Sequence, residues 1–248
     1  MNRYKLVVAY DGTDYTGWQI QSHTLSIAAV LQNRFKKVFG KTIKIVTASR
    51  TDAGVHALAN VVSFSTDLAI STEKMMFAWN NALPENISLL SLHKVHANFQ
   101  PRKNVNYKTY WYHVFTERPL PFFARYGYYH YQSLDIEKLK KALAIFVGKH
   151  DFRAFTCDER KVTVRTIDSI TLEYVAEIKA YRIIVKGRSF LRHMIRRIVG
   201  ACLKVASDPT LSLDFLRMVL EKKDPNHWLP NAPAQGLTLH SILYEHNS

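Results

Sequence analysis

Cysteine is nearly missing from this chain. Of 248 residues, only Cys157 and Cys202 carry a thiol, far apart and in no metal-type spacing. A disulfide framework is therefore excluded, and a reducing, cytoplasmic location is expected. Long apolar runs are also lacking. No stretch approaches the length of a membrane span, so no membrane association is expected. The N-terminal run Leu6–Ala9 is too short for a signal peptide and reads as a first strand. Neither G-x-x-x-x-G-K-[ST] nor G-x-G-x-x-G occurs, so nucleotide-cofactor folds lose support; nor does G-x-S-x-G, the nucleophile elbow of serine hydrolases. Eleven histidines bring no H-E-x-x-H, and His93 and His96 have no Cys or Glu in register with them, which argues against structural zinc. Acid is scarce too: 20 Asp and Glu stand against 34 Lys and Arg, a net charge of +14. Such an excess points to a polyanionic partner, nucleic acid first. Divided at residue 105, the first part has 12 basic and 6 acidic residues and the second 22 and 14, so the charge is not confined to a tail.

What is present is an ordinary globular composition, 47% apolar with 12% aromatic. Leu6–Tyr10 predicts a buried strand. Residues 25–39 bring Leu25, Ala28, Ala29, Leu31, Phe35, Val38 and Phe39 near one face, an amphipathic helix ended by Gly40. Strands are expected at 43–48, 60–65 and 87–97, with a helix at 72–82. The second part gives a strand at 107–115, a helix at 134–147 and a hairpin from 162–175 and 182–186. A long helix at 190–207, a shorter one at 212–222 and a strand at 238–244 follow. Each part reads strand–helix–strand–strand–helix–strand, a ferredoxin-like order with no sequence repeat beneath it. The polar stretch "NFQPRKNVN", 98–106, is the join. The expected fold is α+β: two ferredoxin-like (RRM-like) halves, residues 1–103 and 104–248, with antiparallel sheets joined around a central basic active-site cleft.

Carboxylates are the remaining candidates for chemistry. In "TASRTDAGVHALAN", 47–60, Asp52 stands two residues after Arg50 and two before Gly54. A turn explains Asp–x–Gly but not the arginine. Asp11 and Asp14, in the loop "DGTDYTGWQ", have the plain reading of turn aspartates. A nucleophilic carboxylate must stay ionised, and so needs a cation that holds it without consuming it. A source of one is "GRSFLRHMIRRIVG", 187–200, where Arg192 and Arg196 fall on one border of an apolar helical stripe. Arginine there ordinarily snorkels to solvent; periodicity permits either residue to turn inward and does not choose. In "NYKTYWYHVF", 106–115, alternation puts Tyr110 and Tyr112 on one face and Trp111 on the other. Trp111 reads as packing, whereas a tyrosine facing a basic cleft can stack on a base. "RYGYYHY", 125–131, has the same two readings.

Five segments, in order, resemble the bacterial tRNA pseudouridine synthase A (TruA) family: "YDGTDYTGWQIQ" (10–21), "SRTDAGVHA" (49–57), "YKTYWYHV" (107–114), "FLRHMIRRIVG" (190–200) and "APAQGLTLHSILY" (232–244). The resemblance spans nearly the whole chain. It implies an isomerase that converts uridine to pseudouridine at positions 38–40 of the tRNA anticodon stem-loop, as a homodimer and with no cofactor or metal. It implies further that Asp52 is the nucleophile or sugar-cation stabiliser, and that Arg50 enters the stem as the uridine flips out. Tyr110 would stack on the uracil and serve the carbon-5 proton, and Arg196, not Arg192, would pair with Asp52. Three departures stand out. Phe99–Gln100–Pro101–Arg102 replaces the usual F-H-A-R, Thr109 stands where a basic residue often precedes the strand tyrosine, and Pro233–Ala234–Gln235 replaces P-P before the last G-L. "DGT…GWQ" reads as structural, with Asp11 bracing the active-site loop. The rival from another class is a non-catalytic tRNA-binding protein on the same scaffold. A carboxylate glycosidase would need a second acid opposite Asp52, and the basic charge disfavours a neutral sugar.

Overall fold

The computed structural model describes residues 1–157 and 162–245. In chain order its elements are β1 (Asn2–Tyr10), α1 (Ile27–Phe39), β2 (Val46–Thr47), β3 (His56–Thr66), α2 (Thr72–Asn81), β4 (Ile87–Val95), β5 (Val105–Phe115), β6 (Tyr128–Tyr129), α3 (Ile136–Ala144), β7 (Gly148–Asp151), β8 (Val164–Ile167), β9 (Ser169–Val175), β10 (Ala180–Gly187), α4 (Met194–Ser207), α5 (Leu213–Lys222) and β11 (Leu237–Tyr244). It is a mixed α/β protein, with five α-helices among the described residues. It divides into two compact units, Met1–Asn106 with the stretch from Thr238 onward, and Tyr107–Leu237. The polar join predicts a division after residue 103 with 104–248 together; by packing, the last strand is counted with the first unit.

In the first unit β1 runs antiparallel between β4 and β3. The far edge of β3 carries β2, antiparallel at Val62 and Ser63, and β11, parallel at His56 and Ala57. Alternation along β1 buries Tyr4, Leu6, Val8 and Tyr10. Against this side lies an aromatic cluster from sheet and helices: Phe35 edge-on to Trp79 at 4.8 Å, Trp79 to Phe64 at 5.5 Å, and Phe64 stacked on Tyr4 at 5.4 Å. Trp79 donates its indole N–H to Leu31 O at 3.2 Å, so the buried polar tip is satisfied. Ser26 caps α1 by accepting from Ala29 N, and Gly40 ends it with φ 67°. The helix thus begins later than the periodicity predicts. Leu25 precedes the cap and is exposed, and Ile27, Ala28, Val30, Leu31 and Phe35 form the buried face.

The second unit has β10 antiparallel between β5 and β9, with β6 parallel to the end of β5. The expected continuous strand at 162–175 is two strands. The Asp168 amide, between them, donates to Lys186 O at 2.8 Å, while β8 turns away to pair with β7. β7 itself was not foreseen. Phe146, Phe152 and Phe155 are fully buried, with Phe155 edge-on to Phe146 at 5.0 Å and to Phe152 at 6.4 Å. The long helix is shorter than expected at its start. Arg192 and His193 form a turn, closed by the bond from Met194 N to Leu191 O, His193 takes a left-handed φ of 62°, and α4 begins at Met194. The Arg192 carbonyl is directed away from any helix ladder, accepting instead from Thr156 Oγ1 at 2.9 Å and from Cys157 N at 3.4 Å.

Candidate active site in the Arg50–Asp52 loop

The loop between β2 and β3 is built from below. Along residues 49 to 52, Ser49 and Thr51 are buried, Arg50 is exposed and Asp52 is half-buried. Thr51 Oγ1 lies 2.8 Å from the Tyr10 hydroxyl. Asn60 Nδ2 donates to Tyr10 Oη at 3.2 Å and to Ser49 O at 2.9 Å. Thr47 Oγ1 lies 3.1 Å from Asn60 Oδ1 and 2.9 Å from Ser49 O. Arg102 donates its Nε to Thr47 O at 2.9 Å, so this arginine survives the altered Gln100–Pro101 context as a brace on β2.

From the side, the "DGTDYTGWQ" loop packs on the same segment. Trp18 N donates to Thr51 O at 3.0 Å, and Gly54 N to Tyr15 O at 3.2 Å. Gly17 has φ 93°, and a Cβ there would stand 2.7 Å from Thr51 O, so both conformation and space require glycine. Asp11 is bonded as a turn aspartate, its Oδ1 accepting from Thr13 N at 2.9 Å, and that oxygen also lies 3.1 Å from Nδ1 of the buried His56. The same nitrogen is 3.1 Å from the Gly12 amide. One nitrogen serves one of these at a time, and the backbone amide, which can only donate, has the stronger claim.

In the second unit Tyr110 lies on β5, buried, with Phe190 edge-on at 5.3 Å. Its cross-strand partner is Val185. Tyr112, two residues on, is fully buried and donates to Pro233 O at 2.9 Å. Burial drives its phenol well above the ordinary value, and the nearby Arg196 charge only partly offsets this, so Tyr112 stays a neutral donor. Trp111, on the other face, is half-buried under the Arg182 guanidinium, 4.0 Å from the ring centroid. Arg196, in the first turn of α4, is half-buried and donates Nε to Ala232 O at 2.8 Å, while Ala232 N returns a bond to Arg196 O at 3.0 Å. Gly200 lets this segment approach, since any Cβ there would collide with the Pro230 carbonyl. Arg192, outside the helix, is exposed. The departure at Ala234–Gln235 has a contact of its own: Gln235 Nε2 donates to Gly127 O at 3.2 Å. Among the described residues no group of three or more His, Cys, Asp or Glu side chains is gathered as a metal site would require.

The model of a family described as tRNA pseudouridine synthase matches residues 6–104 and 142–245. This chain belongs to the tRNA pseudouridine synthase A family. It is 36% identical over 247 residues to tRNA pseudouridine synthase A of Clostridium kluyveri, covering 98% of this chain and 100% of that one. The enzyme of the same name from Thermoanaerobacter pseudethanolicus is 35% identical over 247 residues, with the same coverage. tRNA pseudouridine synthase A 2 of Bacillus anthracis is 34% identical over 246 residues, covering 98% of this chain and 100% of that one. The family match takes in Arg50, Asp52 and Arg196 but skips 105–141, and with it Tyr110.

The four residues singled out in the sequence thus fall into two pairs. Arg50 and Asp52 share one loop of the first unit; Tyr110 and Arg196 stand on β5 and α4 of the second. Sequence reasoning missed the supports beneath the first pair, Tyr10, Thr47 and Asn60. It also missed Phe190 as the neighbour of Tyr110. The available signal was an asparagine and a threonine placed where strands otherwise bury apolar side chains.

Proposed function

We propose that this tRNA pseudouridine synthase acts on uridines at positions 38–40 of the anticodon stem-loop, with Asp52 as nucleophile. The conversion of uridine to pseudouridine in tRNA is the reaction of the family to which the chain belongs. The reading of Asp52 rests on one observation. Arg50 is exposed and Asp52 half-buried on a loop whose Ser49 and Thr51 are buried and held by hydrogen bonds to Asn60 and Tyr10. A base must leave its stack before its sugar can be attacked, at a cost of a few kcal/mol. Arg50, exposed, fills the vacated space and carries positive charge towards the phosphates. An Asp52 oxygen attacks the anomeric carbon, and the bond to ring nitrogen 1 breaks with its electron pair on the uracil. The base turns and carbon 5 forms the new bond as the carboxylate leaves. The carbon-5 proton is then lost and nitrogen 1 is protonated.

Tyr110, fixed edge-on by Phe190, stacks on the uracil and serves that proton. Arg196 keeps Asp52 ionised, and its tether to Ala232 orients the guanidinium. The reading extends to a fold of two ferredoxin-like halves around a basic cleft, supported by the β4–β1–β3–β2 order of the first unit and by the basic excess of both parts of the sequence. It further takes the protein to be a cytoplasmic homodimer whose tRNA spans both subunits. Unmodified tRNA tritiated at carbon 5 of uridine tests the nucleophile. Wild type should release the label, and Asp52→Asn should lose release by orders of magnitude. Equal release by the two proteins would remove Asp52 from its role. A tRNA-binding protein without catalysis is not favoured, because membership of an enzyme family accompanies an intact Arg50–Thr51–Asp52 set.

A further inference from the structure

We infer that Asn60, acting through Tyr10 and Thr51, is a positioning residue that aims Arg50 and Asp52; this rests on the reading of Asp52 as the nucleophile. Asn60 is wholly buried, and Tyr10, Thr47, Ser49 and Thr51 are nearly so. The direction of the network follows from chemistry. Ser49 O can only accept, so the side of the Asn60 amide 2.9 Å from it must be the NH2 group. Its second N–H meets the Tyr10 oxygen at 3.2 Å, and the Tyr10 hydroxyl is hydrogen-bonded with Thr51 Oγ1 at 2.8 Å. The Asn60 carbonyl lies 3.1 Å from the Thr47 hydroxyl, whose single proton it shares with Ser49 O at 2.9 Å. One side chain thereby grips the residue before Arg50 by its carbonyl and the residue after it by a relayed hydroxyl. The intervening Arg50 is exposed, and Asp52 beyond it is half-buried.

A network of this kind is rigid because each broken bond leaves a buried polar group unpaired. Catalysis is sensitive to such aim: a displacement of about 1 Å can cost about 100-fold in rate. Asn60 lies beneath the loop and acts on the backbone at Ser49 and the hydroxyl of Thr51, so its effect through Asp52 appears in the chemical step.

The test is single-turnover release of carbon-5 tritium from tRNA, with tRNA affinity and thermal unfolding measured alongside. Asn60→Asp keeps the shape but sets an acceptor against Ser49 O. It should slow the chemical step about 100-fold. Thr51→Val and Tyr10→Phe, milder changes that each remove one hydroxyl, should act in the same direction, with tRNA affinity held. Thr51→Ser, which restores the hydroxyl, should recover most of the rate. Because the groups act as a unit, Tyr10→Phe with Thr51→Val should be little slower than the worse single variant. The inference is overturned if variants that unfold at the wild-type temperature react at the wild-type rate, if the loss lies in affinity, or if the single losses multiply. Asp52→Asn separates the two readings. If it is inactive while Asn60→Asp is fully active, only the positioning role falls; if it is active, the nucleophile assignment falls as well.

Discussion

Arg196 has a neighbour of the same type four residues earlier, and local bonding separates the two. Arg192 stands before α4, exposed, with its carbonyl spent on Thr156 and Cys157. Arg196 is half-buried and tied twice to Ala232. An arginine held in this way is oriented before substrate arrives, so its entropy is already lost. With Arg196 as the counter-ion of Asp52, Arg196→Ala should lower turnover by orders of magnitude while tRNA affinity stays nearly intact, since an uncompensated acid is costly. Filter binding beside the tritium assay checks this, and a large loss of binding would make Arg196 a phosphate contact instead. Tyr112 illustrates the opposite case. It shares a strand face with Tyr110, yet it is sealed against Pro233 and belongs to packing.

Among the elements, α1 is the clearest case of sequence dictating structure. Ser26, the apolar spacing and Gly40 define its start, face and end. Ser26→Ala should therefore destabilise the protein by about 1 kcal/mol, the usual worth of such a cap, read from the midpoint of urea unfolding. The order of helices and strands, the motif loop and the two arginine candidates were all legible in the chain, because periodicity and turn residues are local signals. What was not legible depended on distant partners. The apolar run at 43–48 promised a full strand, but only Val46 and Thr47 pair with β3. The helical pattern at 190–193 was overridden by the left-handed His193, by the bond from Thr156 to the Arg192 carbonyl and by the contact of His193 with Cys157, both distant in sequence. Asn60 reads as an ordinary strand residue until Tyr10 and Ser49 are seen on either side of it.

For the whole molecule, charge and assembly are the relevant scale. A net charge of +14 spread over both parts of the chain favours encounter with a long polyanion over capture by a single patch. No helix among the described residues is long and apolar enough to cross a membrane. With a chain mass of 28.6 kDa, light scattering on the eluted protein should return about twice that value if the homodimer holds; a monomer mass would remove the two-subunit tRNA path.

The parallel pairing of Thr238 and Leu239 with His56 and Ala57 joins segments far apart in the chain, beside the loop that carries Asp52. A nascent chain leaving the ribosome therefore cannot complete the sheet edge beside Asp52 until Leu239 has been made. Closure of so distant a contact is slow relative to local helix formation.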